Sequence, residues 1–99
     1  MDFEGINFIK NKYENEVRPF WNNGAQSIAY QNFSSIYELE IIPNYKEIGR
    51  YIFGPSFVAA STSIYRKISK KEEVSKNLTN LFEASLTKLE ESIISGKKH

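Results

Sequence analysis

The chain has no cysteine, a single aspartate (Asp2) and a single histidine, the final residue His99. Those residue types carry most nucleophilic, acid–base and metal-binding chemistry. Without cysteine there is no disulfide, no thiolate nucleophile and no Cys-based zinc site. A lone His on a Gly-Lys-Lys tail is usually frayed and solvated. The sequence therefore argues against most enzyme classes and predicts neither a metal nor a cofactor. It also lacks long apolar runs: nothing approaches the about 18 residues that a membrane span requires. Residues 1–12 alternate charged and apolar side chains, which predicts no signal peptide. A cytoplasmic protein is expected, in the host cytoplasm if the gene is phage-borne. The abundance of Asn, Lys, Ile, Ser, Tyr and Glu resembles AT-rich coding sequence of low-GC bacteria and their phages.

Charge of one sign is lacking too. The formal net charge is +1, so no polyanionic partner is implied. The halves differ mildly: residues 1–50 carry five Lys/Arg against seven Asp/Glu, and residues 51–99 carry eight against five.

What is present is a core. Ninety-nine residues, 40% apolar and with fourteen aromatics, predict one small globular domain over residues 1–99. Phe3, Ile6, Ile9, Tyr13, Val17 and Phe20 recur at helical spacing and predict a first helix. Asp2 suits its N-cap and Glu4 its positive end. Pro19 should stop it near Val17, and Phe8 falls off the stripe, needing another surface to cover it. Asn23-Gly24 is a strong turn signal.

From Ser27 to Ile68 the texture reads as strand. Ile28, Ala29, Tyr30 and Phe33 form one run. In Ile36–Ile42, Glu38 and Glu40 alternate with Tyr37, Leu39 and Ile41, a half-buried β pattern. Pro43-Asn44 reads as a turn. Two further β-rich runs, 48–53 and 57–68, are split by Gly54-Pro55. Gly49 and Gly54 match no phosphate-binding pattern and suit a bulge and a turn. Ser69-Lys-Lys-Glu72 reads as a capping box opening a long last helix. In that helix Val74, Leu78, Leu81, Phe82, Leu86, Leu89 and Ile93 form the stripe, Glu72 and Lys76 an i,i+4 pair, and Gly96 the terminal residue. The expected fold is α+β: an N-terminal helix, about four antiparallel strands and a long amphipathic C-terminal helix. The rival is an all-α helical hairpin, since apolar positions from Ile64 to Ile93 also fit helical turns. The run Ser61-Thr62-Ser63, poor helix interior, favours the first.

The expected function is non-catalytic recognition of another protein, of the inhibitor, immunity, anti-defence or assembly-subunit kind. Partner-binding candidates are Trp21, Tyr45, Arg50, Tyr51, Glu38 and Glu40, because aromatics and Arg dominate interface hot spots. A catalytic use of Glu38 and Glu40 is less economical than edge protection or a charged contact surface. A helix from Lys70 to Ser95 would be about 39 Å long, longer than a domain roughly 32 Å across. Leu86, Leu89 and Ile93 would then overhang and seek a second copy, making a homo-oligomer. The alternative function is nucleic-acid binding through Arg66, Lys67, Lys70 and Lys71, although Glu72 and Glu73 follow at once. A second alternative resembles the small ribosome-dependent endoribonuclease toxins, which work with Arg, Lys and Tyr. Arg50, Tyr65 and Arg66 would be the candidates, though no motif matches and those toxins are strongly basic.

Overall fold

The computed structural model describes residues 5–98; the Asp2 cap, Phe3, Glu4 and His99 lie outside them. The described chain is mostly helical: α1 (Ile6–Glu16), α2 (Arg18–Asn22), α3 (Gln26–Ile36), a π-helical turn (Tyr37–Ile41), a 3-10 turn (Ile42–Asn44), α4 (Tyr45–Ile48), α5 (Gly54–Ser69) and α6 (Lys76–Ser95). Among the described residues the only β feature is one isolated bridge between Tyr51 and Lys98. The four-stranded sheet expected over 27–68 is absent, and the fold is all-α.

Helix α1 follows the sequence. Ile6, Ile9, Tyr13 and Val17 are buried. Pro19 ends α1 and seeds α2, where its missing N–H and fixed φ suit a first turn. Gly24, at φ +89°, makes the turn into α3. There the sequence pattern misleads. The buried residues Ala29, Phe33, Tyr37 and Ile41 recur every four positions, which is helical spacing. The five-residue alternation around Glu38 and Glu40 is too short to outweigh it.

In α5 the Ser61-Thr62-Ser63 run is accommodated because its inward hydroxyls have partners. Ser61 Oγ donates to the Phe57 carbonyl at 2.8 Å, and the Thr62 and Tyr37 hydroxyls share a hydrogen bond of 2.8 Å. No buried hydroxyl among the described residues is left without a partner, and packing against the core outweighs the weak helix preference of Ser and Thr. Pro55 sits in the first turn.

The capping box at Ser69 is not used. Ser69 is the last residue of α5, and Lys71 adopts φ +59°. The Lys71 N–H bonds the Ile68 carbonyl and the Glu72 N–H the Lys67 carbonyl. That pairing is a Schellman ending, with Lys in the slot glycine prefers. The N-cap of α6 is Ser75, whose hydroxyl accepts from the Leu78 N–H. Glu72 pairs with Lys67 at 3.4 Å instead of Lys76. Gly96, at φ +68°, closes α6 as expected.

Helices α5 and α6 form an antiparallel hairpin; the Ile52 N–H bonds the Lys97 carbonyl where the two ends meet. Phe82 sits centrally, with ring centroids of Tyr13, Phe33 and Phe57 at 4.8, 5.2 and 5.3 Å. The molecule is elongated, 37 × 23 × 23 Å, so α6, about 30 Å long for its 20 residues, has no overhang. Leu86, Leu89 and Ile93 are buried within the one chain. The apolar surface that would have called for a second copy on this stripe is already covered.

Candidate functional site

Two charged contacts lock α1 to α6 on one flank. Lys10 Nζ lies 3.0 Å from Glu90. Tyr13 donates to Glu83, which Arg18 approaches at 3.7 Å. Burial, then the bond to Glu83, pushes the Tyr13 hydroxyl far above the usual tyrosine range. Every group here is paired, which fits a structural clasp.

The opposite flank of α1 is open. Phe8, Lys12 and Glu16 face Asn32, Ser35, Ile36, Leu39 and Glu40 across a groove of about 170 Å³. Ile36 is buried beneath it, while Phe8 is 48% and Leu39 69% exposed. The walls are fixed. Asn32 Nδ2 donates to the Glu16 carbonyl at 2.7 Å, tying α3 to the end of α1. The π turn is held from its inner side: the Tyr37 and Tyr65 rings stack at 4.4 Å and 20°, and the Tyr65 hydroxyl donates to the Glu38 carboxylate. That bond, ahead of burial, raises the Tyr65 pKa. With Tyr37 and Ile41 held inward, Leu39 faces solvent. Ile42 and Tyr45 follow at three-residue steps, also exposed, through a 3-10 turn that eclipses side chains at i and i+3.

Charge around the groove is unevenly satisfied. Lys12 pairs with Glu16 at 2.9 Å and its Nζ lies 5.6 Å from the Phe8 ring centroid. Glu40, half-buried on the far wall, forms no ion pair among the described residues.

No known protein family, curated protein or solved structure matches the chain.

Of the residues singled out from sequence, Glu38, Glu40 and Tyr45 fall on the π turn and the segment after it, beside Leu39. Trp21 does not join them. It is half-buried, 5.4 Å and edge-on to Tyr13 and 6.0 Å from Phe33, so it serves the core, with one edge on a polar cleft beside Tyr30 and Lys76. Tyr51 is fully buried, with Lys98 Nζ 5.4 Å from its ring centroid; it is unavailable to a partner. Arg50 is exposed before α5, and Arg66 lies in the last turn of α5, about 18 Å along the axis from the helix's first residue, Gly54. Lys67 is offset by Glu72, while Arg66, Lys70 and Lys71 are exposed around the end of α5. Among the described residues no three His, Cys, Asp or Glu side chains gather in a cluster that could hold a metal, and no helix is long and apolar enough to cross a membrane.

Leu39, Ile42 and the pairing of Phe8 with Leu39 were missed by sequence reasoning. Phe8 gave a signal, as the one large apolar residue off the α1 stripe. Leu39 gave one only in the four-residue period running through Phe33, Tyr37 and Ile41.

Proposed function

We propose that this chain is a non-catalytic protein-recognition module, with the groove between Phe8 and Leu39 as its contact site. The observation that supports this most is the combination of a 69%-exposed Leu39 with a backbone clamped by the Tyr37, Tyr65 and Thr62 contacts. Fully burying a Leu or Phe is worth about 1.5–3 kcal/mol. A rigid wall spares the ordering cost that a flexible loop would incur on binding. An apolar centre ringed by Lys12, Glu16 and Glu40 has the anatomy of a contact patch. Inhibitor, immunity, anti-defence and assembly-subunit roles all draw on this one capability. Against catalysis stand the separation of Arg50 from Arg66 and the engagement of the Tyr65 hydroxyl by Glu38.

The test is capture of a partner by immobilised protein, comparing the natural chain with Leu39→Glu, Phe8→Glu and an Asn80→Glu control on the exposed face of α6. A partner lost with the first two and kept with the control supports the groove. Equal capture by all four proteins refutes it.

A further inference from the structure

Ile94 is the most exposed large apolar side chain among those described, at 80%. It lies one helical turn beyond Glu90, so it shares the side of α6 that faces the Lys10 flank of α1. The groove lies on the other flank of α1, beside Phe8 and Lys12. A molecule therefore cannot seat its own Ile94 in its own groove. The chemistry nonetheless matches. The groove offers apolar walls and an unpaired carboxylate, Glu40. Ile94 offers a branched apolar knob, and Lys97, three residues on, is an exposed cation with no ion pair among the described residues.

We propose that a second copy of this chain occupies the groove: Ile94 of one copy inserts between Phe8 and Leu39 of the next, and its Lys97 meets Glu40. This rests on the groove being a contact site, and within that reading it selects the assembly-subunit role. The two surfaces differ and lie on opposite flanks of α1, so the contact is heterologous. Each copy that docks leaves one groove and one Ile94 free, and assembly continues head to tail until a ring closes or a filament grows. A single knob in a small groove makes a small interface, of the class that associates weakly and reversibly.

Light scattering over a concentration series from about 20 μM to about 1 mM, spanning the weak-affinity range, tests this. The natural chain should show a mass rising from 11.5 kDa past that of a dimer. Leu39→Glu and Ile94→Glu, both at solvent-facing positions, should each stay monomeric with an unchanged circular dichroism spectrum. An equimolar mixture of the two should form a dimer of about twice 11.5 kDa and stop, because one variant keeps Ile94 and the other keeps the groove. Glu40→Gln should weaken association by up to about fivefold, the range of an exposed pair. A monomeric natural chain at the highest concentration overturns the proposal, as does a monomeric mixture. If the natural chain is monomeric but Leu39→Glu loses a foreign partner that Ile94→Glu retains, self-assembly fails and the groove stands. Assembly indifferent to Leu39→Glu, with foreign capture equally indifferent, removes both.

Discussion

Replacing Gly54 by alanine should destabilise the chain more than any other single added methyl group. Gly54 opens α5 where it rests on the end of α4. A Cβ there would lie 1.8 Å from the Ile48 carbonyl oxygen and 2.6 Å from its carbonyl carbon. Real Cβ atoms essentially never come closer than 3.0 Å to such neighbours, so the two segments must part by at least the difference, 1.2 Å. The obstacle is backbone, and no rotamer change relieves it. Either α5 lifts from Ile48, loosening the packing of Phe57 and Ile64, or α4 unwinds. Inserting a methylene into a packed core costs about 1–3 kcal/mol, and a backbone clash belongs at the upper end, about 3 kcal/mol. Alanine returns up to about 1 kcal/mol by restricting the unfolded chain. The net loss is about 2 kcal/mol or more, a fall of roughly 8–16 °C in Tm at this size. Urea and thermal unfolding followed by circular dichroism measure it. Gly24→Ala is the control: it meets nothing within 4 Å and costs only the left-handed backbone penalty of about 1–2 kcal/mol. A Gly54→Ala protein within about 0.5 kcal/mol of the natural chain, the scale of a neutral surface change, would refute the reasoning.

Lys71→Gly should stabilise, by about 0.5–1 kcal/mol, since glycine relieves the φ +59° strain of the α5 ending at some cost in unfolded-state freedom; a higher urea midpoint at constant m-value checks it. Phe82→Ala should cost about 3–5 kcal/mol by emptying the centre shared with Tyr13, Phe33 and Phe57, and an unfolded or barely folded protein at 37 °C is the expected result. Alkaline pH should weaken the fold through Tyr13. Its folded-state pKa is raised, so this stabilisation is complete below the unfolded tyrosine value near 10 and declines as pH rises past it, because the unfolded chain then loses a proton the folded chain keeps. Stability measured between about pH 9 and 11 should therefore fall less steeply for Tyr13→Phe than for the natural chain.

The two ends of the chain were legible because their signals were local and concordant. The α1 stripe with Pro19 behind it, the Asn-Gly turn and the α6 stripe with Gly96 each rest on local signals that tertiary contacts did not override, except that Leu81, counted in the α6 stripe, is exposed. The middle misread because local signals conflicted with long-range ones. The Ser61-Thr62-Ser63 run argues against helix until the Phe57 carbonyl and the Tyr37 hydroxyl are seen to satisfy it, and Tyr37 lies 25 residues away. Ser69 and Glu72 have the residue types of a helix start, yet the chain uses Ser75. For the groove, Glu40 and the stray Phe8 were visible in sequence. Leu39 was not, because a strand would have turned it inward with Tyr37 and Ile41.

The π turn carries a consequence for how this surface could have arisen. Such a turn is an α-helix that has absorbed one residue more than its register holds, bulging locally while the flanks keep their places. Here the bulge coincides with Leu39, the most exposed wall of the groove. One residue within Tyr37–Ile41 is thus surplus to the helix, and losing a single codon there would let α3 run straight into Ile41 with Phe33 and Ile36 undisturbed. The fold and the exposed Leu39 wall are separable by one inserted amino acid, so a lineage could acquire or discard that wall in a single mutational step without rebuilding the core.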